Sequence, residues 1–199
     1  GIRTLLSEAL ANVLAARRWD IVVDARMSKR STPPDMTAQA QVVIGLGPGF
    51  EAGSNCDLAI ETQWGDDLGR IVRHGRTNPL GGEPRSIESV GRERILYAPN
   101  AGRLEALREI GQAIVSGDPL LRIGPVTLHA PISGTVRGIV RSGVDVVRAD
   151  KVAEVDPRAI QRANFSGVGQ RPKAIAAGVA TAIDEWRSAA APPLFLFEA

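Results

Sequence analysis

The sequence predicts an α+β protein built as a small mixed α/β sheet domain (1–95), a two-repeat β-barrel (96–158), and a C-terminal helix with a tail (159–199). Three observations carry this. Short apolar runs end in glycine or polar residues, a stretch of the chain repeats itself at one fixed offset, and a helical apolar period appears near the C-terminus.

The first domain opens with residues 3–18, where leucine, alanine and valine recur at helical spacing, so an amphipathic helix is expected. Three strand-like runs follow. Ile21-Val22-Val23 leads into Asp24-Ala25-Arg26, Val42-Val43-Ile44 into a glycine loop, and Leu58-Ala59-Ile60 into Glu61-Thr62. Apolar, β-branched runs of this kind suit buried strands with functional groups at their C-terminal ends. The links between them are short and rich in Gly and Pro, which argues against full βαβ crossovers and for a mixed or irregular sheet. Residues 75–95, dense in Gly, Pro, Asn and Ser, read as a loop that serves either as a domain boundary or as a lid.

The repeat comes next. Shifting Tyr97–Pro125 by 32 residues onto His129–Pro157, without gaps, superposes Ala98-Pro99 on Ala130-Pro131, Gly102 on Gly134 and Gly111 on Gly143. Val115 meets Val147, Asp118 meets Asp150, and the apolar positions Leu104, Leu107, Ile114, Leu120 and Ile123 meet Val136, Ile139, Val146, Val152 and Val155. Two copies of one unit, each burying its apolar face against the other, follow from that pattern. Residues 103–115 alone have a helical look, but Gly134–Val147 reads as strand and turn, and the repeat imposes the same reading on both. Beyond the repeat, Lys173–Trp186 reads as a helix with Ala and Ile on one face, and the tail from Ser188 to Ala199 as a segment for docking on a partner.

Composition bounds the function. Among 199 residues the net charge is +2 with both signs interspersed, so no basic footprint for nucleic acid is expected despite a pI near 9.1. Basic residues are nearly all arginine, a usage that fits a GC-rich bacterial coding bias. One cysteine, Cys56, and two histidines, His74 and His129, leave no disulfide framework and no zinc-ligand pattern. No apolar run reaches the roughly 18 residues needed to span a bilayer, and no signal peptide is apparent, so a cytoplasmic location is expected.

No motif supplies a catalytic residue: Ser-His-Asp order, H-E-x-x-H and Walker loops are absent. The glycine run Gly45-Leu46-Gly47-Pro48-Gly49 follows a strand and can either bring backbone N–H groups up to a phosphate or make a tight turn at the sheet edge. Pro48 breaks the dinucleotide spacing. Asp24, Arg26, Glu61, Thr62 and Arg70 sit at strand ends or just after them, where they can clamp a polar ligand or pair with one another.

Two resemblances sharpen these expectations. Ala-Pro-Ile-Ser-Gly-Thr-Val (130–136), with Gly143, Val146, Asp150 and Val155, resembles the second half of lipoyl and biotinyl domains, which are barrel-sandwich hybrids. Where those domains carry their lysine, this chain has Leu121-Arg122-Ile123-Gly124, so no covalent lipoyl or biotin is expected. Over residues 20–185, the ordered set Val23–Met27, Val43–Gly53, Ile60–Thr62, Gly65, Leu68–Arg70, Arg137-Gly138 and Lys151–Arg158 resembles the selenium-dependent molybdenum hydroxylase system proteins, a family of accessory or maturation factors. Family members carry a glycine-rich segment ahead of these motifs, and the chain reads as a diverged member that starts after it. Gln63-Trp64-Gly65-Asp66 stands where the family has Asn-Arg-Gly-His.

The resemblance implies one ligand site made of Asp24, Arg26, Gly45, Gly47, Gly49, Glu61, Thr62, Arg70, Arg137, Asp156 and Arg158, with a nucleotide or molybdopterin as candidate ligands and no metal. It implies a protein partner, a molybdenum hydroxylase or a subunit of a complex, with self-association open. Two other roles stay open: a structural subunit of a larger complex, and an enzyme acting on a small phosphorylated or carboxylated metabolite.

Overall fold

The computed structural model describes residues 10–27, 31–82 and 84–190. Contacts divide the chain into two units. One contains the described residues up to Gly81 together with those from Gln170 onward, and the other is Gly82–Gly169. The C-terminal helix therefore belongs with the N-terminal sheet. Among the described residues, no helix is long and apolar enough to cross a membrane.

The first unit begins with a short helix α1 (Leu10–Ala15); the N-terminal part of the expected 3–18 helix lies outside the described residues. Each of the three apolar runs forms a strand: β1 (Trp19–Asp24), β2 (Ala40–Leu46) and β4 (Leu58–Ile60). These three are parallel neighbours, and β5 (Ile71–Val72) adds antiparallel to β4 to complete a mixed four-stranded sheet. Between β1 and β2 the described helical structure is a single 3-10 turn at Thr37–Gln39. A separate two-stranded ribbon joins β3 (Glu51–Ala52) to β6 (Gly75–Arg76).

Side chains alternate across a strand, so one sequence feeds two cores. Val43 and Ala59 face a cluster with Met36, Phe50, Cys56 and Val72. Val42, Ile44 and Ile60 face the other way, toward helix α2 (Gln170–Ala190), which presents Ile175, Val179, Ala182, Ile183 and Trp186 at i, i+4, i+7, i+8 and i+11. The helix approaches closely at Gly178, where a Cβ would stand 2.2 Å from the Gly69 carbonyl oxygen.

In the second unit the repeat is visible strand for strand. The first copy contributes β7 (Ile95–Tyr97), β8 (Gly102–Ala106), β9 (Ala113–Ile114) and β10 (Pro119–Ile123). The second contributes β11 (Val126–His129), β12 (Gly134–Ile139), β13 (Asp145–Val146) and β14 (Lys151–Asp156). They assemble as two four-stranded antiparallel sheets, β11-β10-β8-β13 and β7-β14-β12-β9, so each sheet takes two strands from each copy. Equivalent hydrogen bonds recur with the copies exchanged. Ala98 N–H donates to Asp150 O and Ala130 N–H to Asp118 O, both at 2.8 Å; Gly111 N–H donates to Val136 O and Gly143 N–H to Leu104 O, also at 2.8 Å. Gly111 and Gly143 turn with φ of 90° and 88°, a conformation open to glycine. Leu104, Leu120, Leu121, Ile123, Val136, Val152 and Val155 fill the space between the sheets.

The α+β class stands, but the expected lipoyl- and biotinyl-like barrel is corrected. Neither sheet closes on itself; each ends at free edges, β11 and β13 in one and β7 and β9 in the other. The physical reason is the length of β9 and β13, two residues each, which is too little ladder to carry hydrogen bonding round a corner.

Candidate functional site

Parallel strands leave their carboxyl ends side by side, and ligands of open α/β sheets bind there. In the first unit that edge gathers most of the residues singled out by the sequence. Asp24 ends β1 opposite Gly45 in register, Gly45 is opposite Ala59, and Leu46 opposite Ile60, which precedes Glu61 and Thr62. A Cβ on Gly47, at φ 101°, would lie 3.4 Å from Thr62 Oγ1 and 3.8 Å from Met27 Cγ. Asp24–Met27, the glycine loop and Glu61-Thr62 are thus neighbours.

Asp24 is buried, and its carboxylate is held by the residue two positions on. Oδ1 accepts from the Arg26 backbone N–H at 3.1 Å and from Nε at 3.0 Å, while Oδ2 accepts from Nη2 at 2.5 Å. Burial pushes the Asp24 pKa up, and the bonds from Arg26 outweigh it, so the carboxyl titrates below its ordinary value. The Arg26 side chain remains about half exposed, at 49%. Beside it a cleft of about 280 Å³, including its open mouth, is lined by Asp24, Arg26, Met27, Thr32, Pro33 and Phe50.

The glycine loop is fastened on both sides. Thr77 Oγ1 donates to Gly47 O at 2.7 Å, Asn55 Nδ2 to Gly49 O at 3.0 Å, and Gly47 N–H to Ile60 O at 3.3 Å. Gly45 has a packing role: a Cβ there would fall 2.1 Å from the Phe50 ring. Glu61 is buried and organises its own loop, accepting at 2.7 Å from the N–H groups of Thr62, Gln63 and Asn78. Thr62 O accepts from Arg171 Nε of α2 at 2.6 Å. Arg70 pairs with Asp67 at 3.0 Å on the surface.

Arg137, Asp156 and Arg158 belong to the second unit. Asp156, fully buried at the end of β14, repeats the geometry of Asp24: Oδ1 accepts from the Arg158 N–H at 3.0 Å and Nε at 2.8 Å, and Oδ2 from Nη2 at 2.6 Å. Burial again opposes ionisation and the Arg158 fork overcomes it, so Asp156 titrates below its ordinary value. Arg137 Nη1 bonds Glu154 Oε1 at 2.9 Å.

Asn55, Thr77 and Arg171 were not legible as site residues. Each acts on a partner at least six positions away, and no spacing motif announces it. The Asp-x-Arg fork was legible in principle, since the tripeptide occurs after two strand-like runs. Among the described residues, no group of His, Cys, Asp and Glu could hold a metal ion. Cys56 is buried, and desolvation pushes its thiol up to about 11, which leaves it protonated and unreactive at neutral pH.

No family model matches the chain. The resemblance to the molybdenum hydroxylase system proteins thus has no matching family model behind it. The chain is similar to a curated Escherichia coli (strain K12) protein, YqeB, described as uncharacterized, with 37% identity over 164 residues. That match covers 81% of this chain and 30% of the relative, so the chain spans under a third of the protein it matches. Among solved structures, the product-bound ectoine utilization protein EutE (DoeB) from Ruegeria pomeroyi aligns with a TM-score of 0.31 and 20% identity, over 43% of this chain and 27% of that one. A likeness at that level carries no argument about fold or function.

Proposed function

We propose that this chain is an accessory or maturation protein that binds a phosphate-bearing ligand, a nucleotide or pterin, on behalf of a partner enzyme in the cytoplasm. The order of its sequence motifs points to a molybdenum hydroxylase system as the one served. The observation that carries the binding reading is the Asp24–Arg26 fork beside the glycine loop at the ends of three parallel strands. A guanidinium already oriented by a buried carboxylate, with its outer side in solvent, suits a phosphate or carboxylate ligand without further ordering cost.

Binding is favoured over turnover because the buried carboxylates at the strand ends are committed elsewhere. Asp24 and Asp156 are held by their arginines and Glu61 by three backbone N–H groups, so none is poised as a general base. Native mass spectrometry of the chain purified from its host, followed by calorimetric titration with ADP and with a pterin monophosphate, tests the reading. Arg26→Gln should weaken binding tenfold or more while tryptophan fluorescence stays native. Absence of any bound or titratable ligand, with a partner chain recovered in stoichiometric amount, would replace it with the structural-subunit reading.

A further inference from the structure

The second unit holds a cluster of charge that its own fold does not require. Glu154 of β14 pairs in register with Gly138 of β12, next to an irregularity in the ladder at Arg137, and Val136 and Val155 beside them face the core. Glu154 Oε1 takes Arg137 Nη1 at 2.9 Å and lies 3.4 Å from Arg94 Nε, while Oε2 pairs with Lys151 Nζ. Three cations therefore surround one carboxylate, an excess of two positive charges. Arg94 is buried and the Glu154 side chain is 12% exposed, whereas the Arg137 and Lys151 side chains are 33% and 48% exposed. Arg94 Nε has no hydrogen-bond partner despite its burial.

The repeat supplies an internal control. The positions 32 residues earlier than Arg137 and Glu154 are Glu105 and Arg122, which form the same cross-strand pair with its signs reversed, at 3.3 Å and about half exposed. The positions equivalent to Arg94 and Lys151 are Val126 and Pro119. One copy of the sheet thus needs only a neutral surface pair. The other has added two cations and drawn the pair inward, at the cost of an unsatisfied guanidinium nitrogen.

We propose that this cluster is a binding site for a phosphate dianion, free or as the terminal group of a small phosphomonoester. The excess charge of two matches the dianion. Arg137 offers a planar fork and Lys151 a mobile point charge, both open to solvent, with the buried Arg94 as a fixed charge behind them. Glu154 is the resident anion that keeps the cations in place when the site is empty.

The test is titration of the whole chain with inorganic phosphate and with glycerol 3-phosphate, at constant ionic strength, followed by two-dimensional amide NMR. Amides of Arg137, Lys151 and Glu154 report this site, and those of Arg26 and Gly47 report the one in the first unit, so the two proposals fail separately. Saturable shifts at the β12 and β14 amides are expected. Lys151→Gln and Arg137→Gln should each raise the dissociation constant at least tenfold, and Arg122→Gln should change it less than twofold. Glu154→Gln should bind phosphate several-fold tighter than the natural chain and gain more melting temperature from it. Tighter binding of glycerol 3-phosphate than of phosphate would assign the monoester, and equal binding the dianion alone. No saturable shift at these amides, or binding that survives both cation substitutions, would overturn the proposal.

Discussion

Gly45→Ala isolates one steric contact in the first unit. Gly45 does not have a positive φ, so alanine meets no backbone penalty, and the cost is the ring of Phe50, whose Cδ1, Cγ and Cε1 would stand 2.1, 2.3 and 2.6 Å from the new methyl. Ordinary contact begins near 3.4 Å, so the ring must retreat by more than an ångström. Because Cγ itself is in the way, flipping the ring does not help; the side chain must leave its rotamer or the strand must shift. Phe50 is 2% exposed and packs in the cluster with Met36, Val43, Cys56 and Val72. Overpacking costs about 1–3 kcal/mol, and complete loss of a buried phenylalanine about 3–5 kcal/mol. A loss of about 3 kcal/mol is therefore expected, equivalent to a fall of about 1–3 M in the urea midpoint. The assay is selective, because Trp19, Trp64 and Trp186 all belong to the first unit, so tryptophan fluorescence follows that unit alone. In a Phe50→Leu background the same substitution should cost at least about 1 kcal/mol less. A loss below about 0.5 kcal/mol, or strict additivity with Phe50→Leu, would refute the steric reasoning.

Three more predictions follow from the same geometry. Glu61→Ala strands three N–H groups, and at about 1–3 kcal/mol for each buried unsatisfied group it should unfold or severely destabilise the first unit, with Glu61→Gln intermediate, as read by urea titration. Gly178→Ala should lower stability by about 1–3 kcal/mol by pushing α2 off the Gly69 carbonyl, and the Trp186 emission maximum should move to longer wavelength. Asp156 has a folded pKa below its ordinary value, so its contribution is full above about pH 4 and is lost as pH falls through the folded value. Asp156→Asn should remove about 1.5–3 kcal/mol at neutral pH and flatten that acid-side loss, measured by circular dichroism of thermal unfolding between pH 2 and 6.

What the sequence revealed divides by the range of the interaction. Apolar runs such as Val42–Ile44 and Leu58–Ile60 specify strands locally, and the 32-residue offset placed every strand of the second unit against its counterpart. Closure into a barrel is beyond what the sequence pattern specifies, because apolar alternation says which face is buried, not whether β9 and β13 are long enough to carry the ladder round. At the site, Asp24 and Arg26 were found from their place at a strand end, and their fork depends on a spacing of two residues. Asn55, Thr77 and Arg94 were missed because their partners are chosen by the tertiary fold, up to 30 positions away for Thr77 and 60 for Arg94.

The interleaving of the two copies has a consequence for how the second unit comes into being. β9 completes the sheet that β12 and β14 of the other copy build, and β13 does the same for β8 and β10. Neither copy is a foldable piece: alone, it would display open ladders and half an apolar face, and only a second half-unit could cover them. The segment must therefore order in one concerted event, with loops of about thirty residues closed before any of their contacts are rewarded. Cleavage between the halves should yield fragments that are unstructured apart and recover their sheets when mixed.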